Sequence, residues 1–273
     1  MVSKLNNIHN LDIQSMLDVA RQASRLGQEI LIKYFGDLKN VSEKAMAGLV
    51  SEADLASEEA IIGVFKKATP SFEIVAEEDS FKNKKSGLTS STEGRWIIDP
   101  LDGTTNYVYG LPIFCTSIAL EINGEVILGV IDVPLLKKSY WCIKGQGAFL
   151  NDQPIKVSTR SSLKQSLLAT GFFAQNDELI DRQMKYLSKV IHHCRGVRRV
   201  GSAAFDLCMV AEGVFDGYWE ENLSPWDTAA GFLLVLEAGG KVSDYSGQKY
   251  DPYKKSILAT NGLVHEELKN YFI

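Results

Sequence analysis

The stretch Trp96–Tyr107, WIIDPLDGTTNY, limits the fold of this 273-residue chain more than any other segment. Its apolar start predicts a buried strand whose pattern ends at a carboxylate, Asp99. Pro100 has no N–H group and is expected to leave the strand ladder, and Asp102 follows in a turn that Gly103 can close. The segment therefore predicts two acids delivered together at the end of a core strand.

These two acids flank the backbone carbonyl of Leu101. Carboxylate and carbonyl oxygens, without His or Cys, are the ligands that Mg²⁺ prefers over Zn²⁺. Gly103, Thr104 and Thr105 follow at the start of a predicted helical turn, where free N–H groups suit a phosphate. The same residues also occur in ordinary loops, in which Asp side chains cap their own backbone, and this segment alone leaves both interpretations open.

Composition sets the broad class of the protein. With 45% hydrophobic residues the chain can build a sizeable core, and its net charge of -5 gives no basic surface for nucleic acid. A lysine cluster falls in the polar stretch 80–94, which we expect to be a solvated mobile loop. No apolar run reaches membrane-spanning length and residues 1–10 lack a signal-peptide core, so the cytoplasm is expected.

The four cysteines are far apart in apolar surroundings and are expected to be reduced core thiols. His192 and His193 lie at a predicted helix end, where we expect them to be surface residues rather than ligands.

Helical and strand patterns alternate along the chain and predict an α/β fold. A change of pattern suggests two closely packed halves, residues 1–157 and 158–273. Helices are predicted over residues 11–35, from about 54 to 67, and over 177–193, 203–212 and 225–238, with a short one over 264–272. Strands are predicted over residues 72–76, 96–98, 114–122, 126–133, 139–143, 148–150, 155–157, 166–170, 215–219, 241–244 and 257–259.

Acids recur where these elements begin or end. The strand 72–76 runs into Glu77, and the strand 215–219 runs into Glu220. Asp54 fits a capping box at a helix start, and Asp227 lies in the first turn of another helix, where the dipole favours an acid. These local explanations suffice for Asp54 and Asp227, and a solvated loop would tolerate Glu77. A cation between Glu77 and Asp99, at the ends of their two strands, would also offset the repulsion between these acids.

Four separated blocks make the chain similar to the inositol monophosphatase family of Mg²⁺-dependent, lithium-sensitive phosphatases. The blocks, in family order, are LVSEAD (49–54), Glu77-Glu78, DPLDGTTN (99–106) and WDTAAG (226–231). This resemblance covers nearly the whole chain and implies a layered α-β-α-β-α sandwich with the site between its halves. It also implies a homodimer.

The resemblance further implies the residues of the site. Two Mg²⁺ ions, with a third and weaker one, would be held by Glu77, Asp99, the Leu101 carbonyl, Asp102 and Asp227. Asp54 and Thr104 would orient the attacking water and help to deprotonate it, and Lys44 matches a basic residue at the mouth. The substrate would contact Asp102, Gly103, Thr104, Gly201, Ser202, Ala203 and Glu220.

The expected activity is hydrolysis of a phosphate monoester of a small polyol or sugar by in-line attack of a metal-activated water, with inositol monophosphate as the first choice. Fructose 1,6-bisphosphate or an adenosine bisphosphate are alternative substrates, and a regulatory binding protein that retains the fold is the alternative of another class. The sequence departs from the family at Gly48, where an Asp is common, and has its own segment at 221–224.

Overall fold

The structure is a computed structural model, and it describes residues 12–44, 48–83, 94–172 and 177–272. The first elements in chain order are α1 (Ile13–Tyr34), β1 (Val41–Lys44), β2 (Gly48–Ser51), α2 (Glu52–Ala68), β3 (Glu73–Ala76), α3 (Glu77–Asn83), β4 (Arg95–Asp102), α4 (Thr104–Val108), β5 (Cys115–Ile122), β6 (Glu125–Val133), β7 (Lys138–Ile143), β8 (Gly147–Leu150) and β9 (Gln153–Ile155). The later elements are β10 (Leu167–Thr170), α5 (Asp177–Ile191), β11 (Gly196–Arg198), α6 (Ala203–Ala211), β12 (Gly217–Glu221), α7 (Pro225–Glu237), β13 (Lys241–Ser243), β14 (Ser256–Thr260) and α8 (His265–Lys269).

Two large sheets form the frame. The first has seven strands in the order β3-β4-β5-β6-β7-β8-β9, and the second has five in the order β11-β10-β12-β14-β13. Strands β5 to β9 form the predicted antiparallel meander, because tight turns such as Asn123-Gly124, with both φ angles positive, join neighbouring strands. Strands β1 and β2 form a separate hairpin beside α2.

Helices cover the sheets in layers, as the alternation of strand side chains requires. Trp96 and Ile98 of β4 pack in one core with α1 and α2, whereas Ile97 packs in another with α6 and α7. That second core also contains residues of the five-stranded sheet, whose other face packs on α5 and α8. The predicted layered α-β-α-β-α sandwich is therefore confirmed.

Some local predictions were wrong. The acids after β3 begin helix α3, so residues 80–83 are not a loop, and residues 84–93 of the predicted loop lie outside the described part. The hairpin β1–β2 and the strand β11 were not predicted, since these segments of three or four residues are too short to show apolar periodicity. Three cysteines are buried free thiols as expected, but Cys194 is partly exposed. No described helix is long and apolar enough to cross a membrane.

Candidate active site

A cleft of about 350 Å³ lies where the ends of β4, β12 and helices α3, α4, α6 and α7 meet. Its lining contains most of the residues singled out in the sequence, drawn from both sheets. These are Glu77, Asp102, Gly103, Thr104, Gly201, Ser202, Ala203, Glu220 and Asp227. The fold therefore brings together acids that are up to 150 positions apart in the chain.

The segment after Asp99 is shaped by a break in strand pairing. Asp99 pairs with Ser117, and pairing resumes only at Asp102, opposite Cys115. Pro100 thus interrupts the ladder as predicted, although β4 continues to Asp102. The carboxylate of Asp99 accepts a hydrogen bond from the Leu101 N–H at 2.9 Å, which fixes the bend.

Gly103 closes this bend and directly precedes α4, with a φ angle of 92°. A side chain there would be strained by the left-handed backbone and would also lie 3.1 Å from the carbonyl oxygen of Ile113. Glycine therefore allows the backbone of the first turn of α4 to line the cleft.

Asp54 joins its helix to this segment. Its Oδ2 accepts from the N–H and the hydroxyl of Ser51, at 2.8 and 2.6 Å, and so completes the predicted capping box. Its Oδ1 lies 3.0 Å from the hydroxyl of Thr104, which is also 3.0 Å from the carbonyl oxygen of Leu101. The local capping role and the contact with the site therefore coexist in one buried carboxylate.

Asp102 links the two sheets of the molecule. Its Oδ2 accepts from the Ser202 hydroxyl at 2.8 Å and from the Ala204 N–H at 2.6 Å, at the start of α6. Ser202 directly precedes this helix, but its side chain makes no cap hydrogen bond and donates to Asp102 instead. An acid from β4 thus caps a helix that begins about 100 residues later.

The carboxylates of the cleft repel one another. Burial raises the pKa of Asp99 well above its usual range, and the negative charges of Glu77, Asp102 and Asp227, together with a hydrogen bond to Glu77, raise it further. Burial also raises the pKa of Asp227, with the charges of Asp102 and Glu77 adding to the effect. For Asp102 the value rises to about 6, because burial outweighs the hydrogen bonds from α6. These acids are therefore close enough to interact strongly.

Such a set of oxygens suits a divalent cation. Within the described parts of the chain, no three His, Cys, Asp or Glu side chains are already arranged to hold a metal ion. What favours a cation is the donor chemistry, with carboxylates and the Leu101 carbonyl but no His or Cys, and the repulsion that positive charge would relieve. The residues therefore fit a hard cation such as Mg²⁺.

The opposite wall of the cleft carries Glu220. Its Oε2 accepts from the hydroxyl of buried Tyr218 at 2.6 Å, and its carboxylate lies directly against Gly171. A methyl group on Gly171 would lie 1.8 Å from Oε2 of Glu220, so only glycine leaves this position free. Burial raises the pKa of Glu220 to about 7, although the Tyr218 hydrogen bond and the charge of Arg199 act in the other direction.

The family model for the "Inositol monophosphatase family" matches residues 12–272. The chain belongs to the inositol monophosphatase family. It is 40% identical to the inositol-1-monophosphatase of Synechocystis over 260 residues, which cover 94% of this chain and 88% of that one. It is 38% identical to the fructose-1,6-bisphosphatase/inositol-1-monophosphatase of Aquifex aeolicus, with 93% and 94% covered.

A solved inositol monophosphatase structure from Anabaena has the same fold. It superposes with a TM-score of 0.84 at 40% identity, and the match covers 96% of each chain. The family is metal-dependent, and its members hydrolyse phosphate monoesters. This member of the inositol monophosphatase family is therefore a metal-dependent phosphatase, and its family acts on phosphorylated polyols or sugars.

The sequence analysis missed two positively charged side chains that line the cleft. Arg199 and Lys255 line it, and both are exposed. Arg199 stands two residues before Gly201, so its position next to a predicted contact residue was an available signal. Gly48 also lines the cleft, in open space and with a φ angle of 89°. The side chain of Lys44 lies outside the described residues.

Proposed function

We propose that this phosphatase hydrolyses an inositol monophosphate and that two or three Mg²⁺ ions support the reaction. Glu77, Asp99, the Leu101 carbonyl, Asp102 and Asp227 would hold the ions. When bound, the ions would lower the pKa of a water molecule and neutralise charge on the phosphoryl and leaving oxygens. The support for this ligand set is the all-oxygen donor set and the raised pKa values of Asp99 and Asp227, which burial and the negative charges of the neighbouring acids raise.

The residues of the chain divide the remaining work. The hydroxyl of Thr104, 3.0 Å from Asp54, would orient the attacking water, and Asp54 would take up its proton. The backbone of Gly103 and Thr104 would face the phosphate at the start of α4. Ser51 would keep Asp54 in place, since its N–H and hydroxyl both donate to the same carboxylate oxygen.

Glu220 and the segment 201–203 would bind the hydroxyls of the polyol. The observation that carries this assignment is the place of the Glu220 carboxylate, which shares the cleft with Asp102 but comes from the other sheet. A carboxylate at that site can accept hydrogen bonds from two vicinal hydroxyls. The alcohol side of the ester would thus be bound by one sheet and the phosphate side by the other.

A substrate panel tests the assignment. Release of phosphate from inositol 1-phosphate should depend on Mg²⁺, be inhibited by Li⁺ and exceed release from fructose 1,6-bisphosphate and an adenosine bisphosphate. Binding of these compounds without turnover would favour a regulatory binding protein instead. Equal or faster hydrolysis of a bisphosphate would contradict the inositol monophosphate assignment.

A bisphosphate is the second candidate substrate because two positively charged side chains line the cleft. Arg199 and Lys255 are not accounted for by a single phosphate next to Asp102, and a second phosphate group would pair with them. One relative, from Aquifex aeolicus, is named for both activities. Arg199→Ala should then raise the KM for a bisphosphate at least tenfold, while the KM for inositol 1-phosphate changes little.

We also propose that the protein is a cytoplasmic homodimer and that residues 1–157 and 158–273 are its two structural halves. Family resemblance supports the dimer. Each half contains one of the two large sheets, which supports the division. Light scattering coupled to size-exclusion chromatography would give the mass in solution, to be compared with the 30.2 kDa of one chain.

A further inference from the structure

One face of α2 contacts three separate segments that carry residues of the candidate site. Asp54, Ser57 and Glu58 lie at spacings of three and four residues, which places them on the same side of a helix. Asp54 contacts Thr104, and the Ser57 hydroxyl donates to the carbonyl oxygen of Pro100 at 3.2 Å. The third residue of this face, Glu58, contacts helix α3.

The Glu58 carboxylate binds the first turn of α3. Its Oε2 accepts from the N–H of Glu78 at 2.8 Å, and its Oε1 accepts from the N–H of Asp79 at 2.9 Å. The first N–H groups of a helix have no partner within the helix and are usually capped by a side chain next to it in sequence. Here the acceptor comes from about 20 residues upstream, on another helix.

This contact fixes the point at which α3 begins, and Glu77 is the first residue of that helix. Glu58 is 5% exposed, so water competes little for its two hydrogen bonds. Bonds from both oxygens of one carboxylate to consecutive N–H groups also fix the orientation of the helix start. The backbone that carries Glu77 is thereby attached to the helix that carries Asp54.

The other end of α3 contacts the opposite side of the cleft. The ring of Phe81 packs edge-on against Trp226 with centroids 6.1 Å apart. Trp226 directly precedes Asp227 at the start of α7. Helix α3 therefore contacts both α2, which carries Asp54, and the start of α7, which carries Asp227.

Burial of the Glu58 carboxylate is energetically costly, which indicates a role beyond packing. Glu58 is a buried acid, and its neighbours Asp79 and Glu77 add negative charge around it. Burying another carboxylate next to acids is unfavourable unless its hydrogen bonds offset the loss of hydration. At this position the two N–H groups of α3 supply that compensation.

We propose that Glu58 is a positioning residue for metal binding, because its carboxylate holds the start of α3 and so places Glu77 for the cation. This inference rests on the proposed role of Glu77 as a metal ligand. Residues that orient metal ligands from behind typically contribute about 10- to 100-fold in metal affinity. We expect the lower end of this range, since Glu58 acts through the backbone of residues next to Glu77.

The test is direct titration of Mg²⁺ into the full chain by calorimetry, without substrate. Glu58→Gln keeps the size of the side chain but places an amide NH₂ against one N–H donor. Glu59→Gln is the matched control, since Glu59 is the next residue of α2 and is exposed. Glu77→Gln shows the effect of removing the ligand itself. Unfolding of each metal-free variant is measured in parallel.

Glu58→Gln should weaken Mg²⁺ binding about tenfold and raise the Mg²⁺ concentration for half-maximal activity by the same factor. Its kcat at saturating Mg²⁺ should stay within about threefold of the wild type, because Glu58 does not touch the substrate cleft. Glu59→Gln should bind Mg²⁺ like the wild type. If Glu58→Gln does not fold, Glu58→Asp, which keeps the charge on a shorter side chain, should show the same weakening.

Two results would overturn the inference in different ways. If Glu77→Gln loses Mg²⁺ affinity but a folded variant at position 58 binds Mg²⁺ like the wild type, the positioning role of Glu58 is wrong and the proposed function stands. If neither the wild type nor Glu59→Gln binds Mg²⁺, the metal-dependent function is wrong and this inference falls with it.

Discussion

Substitution of Asp102 by Asn should remove activity while making the metal-free protein more stable. Burial raises the pKa of Asp102 from its ordinary 3.8 to about 6. A carboxyl with a raised folded-state pKa contributes stability below its unfolded pKa, and this contribution is lost as the pH rises through the folded value. At pH 7.5 the ionised group therefore destabilises the fold.

The size of this effect follows from the two pKa values. Their difference of about 2.2, at about 1.4 kcal/mol per pKa unit, gives roughly 3 kcal/mol. Asn keeps one oxygen as an acceptor for the Ser202 and Ala204 donors, but these hydrogen bonds lose the charge of Asp102 and become weaker. A net gain of about 1 to 2 kcal/mol in the free energy of unfolding remains, which raises the midpoint temperature of thermal unfolding by roughly 2 to 8 °C.

The activity should change in the opposite direction. Asn replaces a charged ligand oxygen of the proposed metal site, and kcat/KM should fall about 10³-fold or more, which corresponds to about 4 kcal/mol. Thermal unfolding without metal and phosphate release with Mg²⁺ are measured on the same preparations. The difference in stability should shrink as the pH falls through 6 and vanish only well below pH 3.8, where Asp102 is protonated in both the folded and the unfolded states.

Asp206→Asn is the matched control. Asp206 is 1% exposed on α6, and burial together with the charges of Glu220 and Asp102 raises its pKa well above the usual range. It is not among the described residues that line the cleft. This variant should also gain stability near neutral pH but keep most activity. If Asp102→Asn loses stability at pH 7.5, or is stabilised but retains near-normal activity, the reasoning is refuted.

Three further predictions concern single side chains. Thr104→Ala should lower kcat about 10²-fold with little change in KM, since its hydroxyl contacts Asp54 and is proposed to orient the attacking water. Thr104→Ser should restore most of the loss. Gly171→Ala should displace Glu220 and raise KM for inositol 1-phosphate about tenfold, while hydrolysis of p-nitrophenyl phosphate, which has no polyol hydroxyls, is largely kept. Burial lowers the pKa of His265 to about 4. The free energy of unfolding, measured in urea, should therefore fall by up to roughly 3 kcal/mol between pH 6.5 and pH 4. The variant His265→Gln should not show this loss.

Much of the fold could be predicted because most of its helices and strands have recognisable local sequence patterns. The meander from β5 to β9 follows from strand patterns separated by turn residues such as Asn123-Gly124, and α1 from a helical period that ends near Gly36. Helix α3 could not be predicted in this way. Its seven residues contain three consecutive acids, and its first turn is capped by Glu58 from another helix. No pattern within the segment shows that contact.

The site shows the same division between local and long-range causes. The sequence predicts Asp54 as a capping residue, and the structure confirms this. Its second carboxylate oxygen contacts Thr104, about 50 residues away in the chain. Ser202 directly precedes α6, where a capping side chain is common, but the N–H of Ala204 is capped by Asp102 from the other sheet. An acid at a helix start satisfies the backbone with one oxygen and leaves the other for a ligand. Local capping and a role in the site are therefore compatible interpretations of one carboxylate, and only the fold shows what its second oxygen faces.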